Sequence, residues 1–135
     1  MKWLLDTNVL SEVTRPQPSP KVEAWLRAEG NEAAIDPIVL GELRYGILIL
    51  PRGARRTRLE NWFDAGARRL NCLPWDSETG IKWATLLARL RSKGLAMPLR
   101  DSMIAATAME HQLTVVTRNV RDFAHAGVPL LNPFG

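Results

Sequence analysis

The chain has 135 residues, 46% hydrophobic and 24% charged, with a formal net charge of +4 and a pI near 9.8. That length fits one globular domain, residues 1–135, with a sizeable core, and the basic balance points to an anionic partner, nucleic acid first, although the many acids set it apart from a basic tail. The single cysteine, Cys72, excludes an internal disulfide and a thiolate zinc cage; no run approaches the ~18 apolar residues of a membrane span, the opening apolar stretch is too short for a signal-peptide core, and a reducing cytoplasmic setting is expected.

"WLLD" reads as a buried strand and "NVLSEV" as a short helix that stops before "RPQPSP", where prolines exclude regular structure. Ser19 is placed to cap a helix with Pro20 at its first position, running to Gly30. "AAID" is a weak second strand. From Ile38 to Leu50 the apolar residues Leu40, Leu43, Ile47 and Leu50 recur at helical spacing, and Pro51 ends the run. Leu59, Trp62, Phe63, Gly66, Ala67 and Leu70 trace one face of the next predicted helix, whose other face carries arginine. "NCLPW" supplies a third strand. A helix over Ile81, Ala84, Leu87 and Leu90 follows, stopping near Gly94. "DSMIAATAMEH" is a helix whose small residues let it lie close to a sheet, "LTVVT" is a short β-branched strand, and "VPLL" is a last one.

Strands separated by helices imply parallel pairing with right-handed crossovers, hence a three-layer α/β/α sandwich around a central parallel sheet. In such sheets sites form beyond the carboxyl ends of strands. Asp6 sits at one such end. "LTVVT" runs into "RNVRDF", bringing Asn119 and Asp122 to the same rim, while "AAID" leads to the helix bearing Glu42, and Asp101 stands near the first turn of the "IAATA" helix. Each acid also has a plain structural reading. Asp6 can cap the helix after it, Asp101 can interact with a helix dipole, and Asp122 can organise an Asx-turn. Glu42 lies between Gly41 and Gly46, and helical glycines, costing about 1 kcal/mol each, suggest a close approach to the backbone.

Taken together, "DTNVLSE" at 6–12, "GELRYGI" at 41–47, "DSMIAATA" at 101–108 and "VTRNVRDF" at 116–123 resemble, in order and spacing, the PIN-domain family, in particular VapC-type ribonuclease toxins of the FitB-like branch. The resemblance covers nearly the whole chain. It implies that Asp6, Glu42, Asp101 and Asp122 form a catalytic acidic cluster holding Mg²⁺ or Mn²⁺, with Thr117 as the hydroxyl closing the strand before the last acid. Asn119 stands where many PIN domains carry another acid, so the second-metal side is weaker or is completed by substrate phosphate. Asp36 and Pro37 also depart from the family pattern; Asp36 is either an outer acid or a helix cap, the second being favoured just before Pro. The implied reaction is endonucleolytic hydrolysis of an RNA phosphodiester, leaving a 3′-hydroxyl and a 5′-phosphate. The implied partners are an RNA substrate, a cognate antitoxin and a second copy of the chain, the "ILIL" excess lending support to a homodimer.

Oxygen donors suit Mg²⁺, which prefers octahedral coordination and keeps several waters. No G-x-S-x-G, G-x-G-x-x-G or P-loop is present, and His111 and His125 lack metal-ligand spacing and are expected on exposed positions. Two other readings are a receiver-like phosphoacceptor module, whose usual lysine is missing because Arg118 follows Thr117, and a catalytically silent PIN-fold binding subunit. Arg52, Arg55, Arg56 and Arg58 either guide an RNA backbone to the rim or form a solvated helix face, and Arg68 and Arg69 suit the last turn of their helix. Converging carboxylates without an ion should repel, so replacing Asp6 or Asp101 by Asn is expected to stabilise the ion-free protein.

Overall fold

In the computed structural model, which describes residues 1–135, the first apolar run is strand β1 (Trp3–Leu5). Asp6 ends it and caps helix α1 (Thr7–Glu12) by accepting the Thr7 N–H. The proline stretch that follows is irregular, and buried Glu12 ties it down by accepting the Ser19 N–H at 2.9 Å. Ser19 then caps α2 (Pro20–Glu29), with Pro at its start. Strand β2 (Ala33–Ile35) leads through Asp36 into α3 (Pro37–Leu48), and α4 (Ala54–Ala65), β3 (Asn71–Cys72) and α5 (Ser77–Ser92) follow. Asp76 and Thr79 form a capping box that fixes the start of α5. Helix α6 (Leu99–His111), β4 (Thr114–Val116), a 3₁₀ turn at Val120–Phe123 and β5 (Leu130–Leu131) complete the chain.

The five strands are all parallel, in the order β3-β2-β1-β4-β5, and helices flank the sheet in the expected α/β/α arrangement. Successive strand residues point to opposite faces, and Ala33, Ala34 and Ile35 are all buried, so both faces are covered. Leu4, Leu5, Ile35, Val115 and Val116 of the sheet pack with Val9, Val39, Leu86, Leu90 and Ile104 of the helices in one core. Full burial of each large aliphatic side chain contributes about 1.5–3 kcal/mol. Ala105, Ala106 and Ala108 of α6 are almost wholly buried, the close packing their size predicts. No helix is long and apolar enough to cross a membrane.

Three local expectations change. Helix α4 ends at Ala65, and Ala67–Arg69 is a separate 3₁₀ turn, so Arg68 and Arg69 do not lie in the last turn of an α-helix. The break falls at Gly66, whose backbone leaves the helical conformation and where a Cβ would crowd the Trp62 carbonyl oxygen at 3.2 Å. On α5 the inward stripe is Thr79, Trp83, Leu86 and Leu90, whereas Ile81 is 60% exposed and Ala84 faces solvent. The capping bonds of Thr79 and the Trp83 indole N–H, which donates to Ser102 Oγ at 3.0 Å, select that stripe over the competing one. Finally, a Cβ at Gly41 or Gly46 would meet nothing, so no close backbone approach explains these glycines. Gly41→Ala and Gly46→Ala should each raise stability by about 0.5–1 kcal/mol. Thermal denaturation checks this, and a lowered melting temperature would count against open space at the site.

Candidate functional site

Strand register decides where the first acid lies. Leu5 pairs with Val116 and Leu4 with Ala34, so Asp6, Asp36 and Thr117 all follow directly on the carboxyl ends of neighbouring strands. Asp6 is 0% exposed. Its Oδ1 accepts the Thr7 N–H at 2.7 Å, and its Oδ2 accepts the Thr117 hydroxyl at 2.8 Å and the Asn8 amide at 3.3 Å. Thr117 Oγ1 accepts the Asn119 backbone N–H at 3.0 Å, and Asn8 Oδ1 accepts the Arg118 N–H at 3.1 Å. Asp6 is thus at once a helix cap and the centre of a polar network. Asn8 belongs to that network beyond any capping role.

Glu42 from α3 and Asp101 from α6 reach the same place, and what they meet there is a cation. Arg100 Nη2 donates to Asp6 Oδ1, to Glu42 Oε1 at 2.6 Å and to the Thr7 hydroxyl at 3.0 Å. Its Nε donates to Glu42 Oε2, and its Nη1 to Asp101 Oδ1 at 2.6 Å. Glu42 is gripped through both oxygens, the strong bidentate geometry of a guanidinium. The expected repulsion among ion-free acids is therefore offset by a cation the sequence reading did not include: Asp6, Glu42 and Asp101 share one positive charge. Because three acids share that single cation, an excess of negative charge remains.

Asp122 is the predicted acid that stands apart. It is exposed on the 3₁₀ turn and does not touch the guanidinium, although its charge bears on Asp101. Asn119 contributes through its backbone N–H. Asp36 is a cap: buried, it accepts the Val39 N–H at 3.0 Å and the Thr107 hydroxyl at 2.8 Å. His125 is exposed as expected, but His111 is half-buried. Among the arginines, Arg56 is engaged by Glu60 at 3.0 Å and by the Leu50 carbonyl, whereas Arg52, Arg55 and Arg58 are exposed. Arg55 shares with Glu42, Thr7, Gly46 and Trp62 a cleft of about 210 Å³ that opens beside the acids. A larger cleft of about 410 Å³, between Leu40, Arg44, Phe63 and Arg68, contains none of the four predicted acids.

Burial sets the protonation chemistry. Desolvation, with the charges of Asp6 and Asp122, holds the Asp101 carboxyl above the usual range against the pull of Arg100. Desolvation also opposes ionisation of Glu42, but its bonds with Arg100 and Thr7 outweigh it and the pKa falls. For Arg100 itself, burial works against the charge, and Glu42 and Asp6 more than restore it, raising the pKa. The donors are hard carboxylate and hydroxyl oxygens, the chemistry that Mg²⁺ and Mn²⁺ prefer, and they already converge on a cation. As the side chains stand, however, no three acidic, His or Cys groups are disposed to hold an ion together. The guanidinium lies between them.

Residues 3–129 match the profile of the PIN domain family. The chain belongs to that family. The match extends over nearly the whole of this PIN domain, and family membership sets aside a receiver-like module. The chain is 35% identical to VapC ribonuclease Y4jK of Sinorhizobium fredii, covering 97% of this chain and 96% of that protein. It is 36% identical to Toxin FitB of Neisseria gonorrhoeae, covering 97% of each. The crystal structure of FitAcB from Neisseria gonorrhoeae superposes with a TM-score of 0.91 at 34% identity, covering 98% of both chains.

Within this PIN domain, Arg100 is the residue that sequence reasoning passes over. A signal was available: a cation in the first turn of a helix opposes the macrodipole and needs anions nearby. Two consequences are measurable. In chelator, Asp6→Asn should lower stability by about 2 kcal/mol, the worth of a hydrogen bond to a charged group, instead of relieving repulsion; a raised denaturation midpoint would contradict this. Asp36 has its pKa raised by burial, against the opposing bonds of Val39 and Thr107. The folded state therefore holds its proton more tightly than the unfolded state does, and stability falls as pH rises from the unfolded value through the folded one. Asp36→Asn keeps the cap and removes this dependence, so it should gain on the native protein at neutral pH and lose that gain in acid, as denaturation at several pH values would reveal.

Proposed function

We propose that this PIN domain is a Mg²⁺- or Mn²⁺-dependent endoribonuclease acting as the toxin of a toxin–antitoxin pair. The observation that carries the reading is the convergence of Asp6, Glu42 and Asp101 on one cation at the carboxyl rim of the parallel sheet. The likeness to VapC ribonuclease Y4jK and to Toxin FitB supports ribonuclease and toxin roles.

In this reading Asp6, Glu42 and Asp101 would hold the ion, and exposed Asp122 would add its negative charge to the site. An ion bound there supplies Lewis-acid activation of water and neutralises charge on the phosphate and the departing oxygen. Thr117 and the Thr7 N–H fix the Asp6 carboxylate, so that it presents its oxygens without reorganisation. Glu42, with its side chain 37% exposed, both pairs with Arg100 and lines the adjoining cleft. Arg55, which lines the same cleft, offers a charge to the RNA backbone, with Arg52 and Arg58 on the exposed surface nearby in sequence. Arg56 is the weakest candidate of the four, since Glu60 already neutralises it.

The proposed antitoxin and second protomer need an apolar surface. Tyr45, Leu48 and Ile49, at the end of α3, are 65%, 46% and 63% exposed and supply one. The cytoplasm, where RNA is available, is the proposed compartment.

Purified protein should cut RNA with Mg²⁺ or Mn²⁺ and stop when chelator is added. Asp6→Asn and Asp101→Asn should abolish cutting while circular dichroism still reports a folded protein. Undiminished cleavage in chelator would overturn the metal mechanism, and a folded protein inert toward RNA with both ions would favour the silent binding subunit. Expression of the chain alone should arrest growth, and co-expression of an adjoining antitoxin frame should relieve it.

A further inference from the structure

Arg100 is placed unlike any other cation of the chain. Its side chain is 30% exposed, and each of its three nitrogens ends on an acid of the candidate ion site: Nε on Glu42, Nη1 on Asp101, and Nη2 on Asp6 and Glu42. These contacts take up oxygens that a divalent ion would need. Asp6 Oδ2 already accepts from Thr117 and Asn8, and Oδ1, which accepts the Thr7 N–H, is also the atom Arg100 holds. Both Glu42 oxygens are taken by the same guanidinium. A guanidinium and a bound ion cannot both sit among these atoms, by volume or by charge.

The geometry also supplies the way out. Arg100 is the second residue of α6, and its long, flexible side chain is 30% exposed, so it has access to solvent. It can leave by rotating side-chain bonds while α6 stays in place. Asp101, the next residue, is anchored in the same turn and stays behind.

We infer that Arg100 is a resident counter-cation that competes with the divalent ion: its guanidinium neutralises Asp6, Glu42 and Asp101 until an ion loads, and loading expels it to the rim. The inference rests on the ion-binding reading above. It assigns Arg100 a positioning role, because the acids are held in their converged arrangement before the ion arrives. It also sets the ion's apparent affinity, which is reduced by the fraction of molecules in which the guanidinium is already out.

The test uses the native protein and Mg²⁺ alone. The side-chain Nε–Hε resonance of Arg100, assigned by its loss in Arg100→Lys, should be protected from exchange in chelator and move to the position of a solvated arginine as Mg²⁺ saturates. Calorimetry on the same sample follows binding independently. A second arm compares Mn²⁺ binding by electron paramagnetic resonance: Arg100→Gln should bind tighter than the native chain by on the order of tenfold or more, with Arg100→Lys between them. Saturation by Mg²⁺ with an unmoved, protected Arg100 resonance would overturn the inference and leave the ion site intact. Mn²⁺ binding by folded Arg100→Gln that is no tighter than native would do the same. Absence of ion binding in both the native chain and Arg100→Gln would bring down the ion-site reading itself, and this inference with it. If Arg100→Gln does not fold, the resonance of the native protein decides.

Discussion

A carboxylate with no contact with solvent must be answered from within the protein, because desolvation of a charge costs several kcal/mol unless partners replace the lost water. Asp6 is such a group, and much of the architecture around it is the answer. The parallel register of β1 and β4 puts the Thr117 hydroxyl beside one oxygen, and the start of α1 brings the Thr7 N–H to the other. Helix α6 delivers the charge. Arg100 is useful there only because α6 begins at this rim, and α6 lies close because its inner face is built from alanines. Strand order, helix start and side-chain size therefore converge on satisfying one acid.

Much of this was legible in the sequence. The strands and helices are found where the apolar runs and caps place them, because short β-branched runs, Ser19–Pro20 and Asp36–Pro37 are local signals that tertiary contacts do not oppose. The errors arise where two local solutions compete. On α5 two apolar stripes exist, and only the capping bonds of Thr79 and the indole bond of Trp83 choose between them. On α4 the periodicity runs straight through Gly66, where the backbone leaves the helical conformation at φ −123° and ψ −77°, which no spacing rule reports. At the rim, order and spacing identified acids but said nothing of the charge that compensates them. Arg100 lies next to Asp101 in sequence, yet its meaning depends on Asp6 and Glu42, which are far away along the chain.

Asp36 and Asp101 show how position divides two buried acids at the start of helices. Both have raised pKa values, and burial is the first cause for each. Asp36 directs one oxygen to the backbone of its own helix and the other to Thr107, so its bonding capacity is spent on neutral donors. Asp101 is held by Arg100 and lies within the field of Asp6 and Asp122, so its environment is ionic. An acid bound to neutral donors is an anchor. An acid poised among charges responds when another charge enters, and this difference in surroundings separates Asp101 from Asp36.

The start of α6 breaks several rules of helix design at once. No side chain caps it, Pro98 precedes it, and a positive charge sits in its first turn against the dipole. A sequence optimised for stability alone would place Ser or Asp ahead of the helix and an acid where Arg100 stands. Local rules are broken most often where function imposes a different demand. Here the demand is visible in the contacts: the cation that disfavours the helix is the one that holds three acids at the sheet's edge. Asp101, immediately after it, restores favourable charge to the same turn and binds the guanidinium as well. The pair Arg100–Asp101 thus couples the start of α6 to Asp6 on the sheet rim and Glu42 on α3, so that the helix terminus and the acid cluster are held by the same contacts.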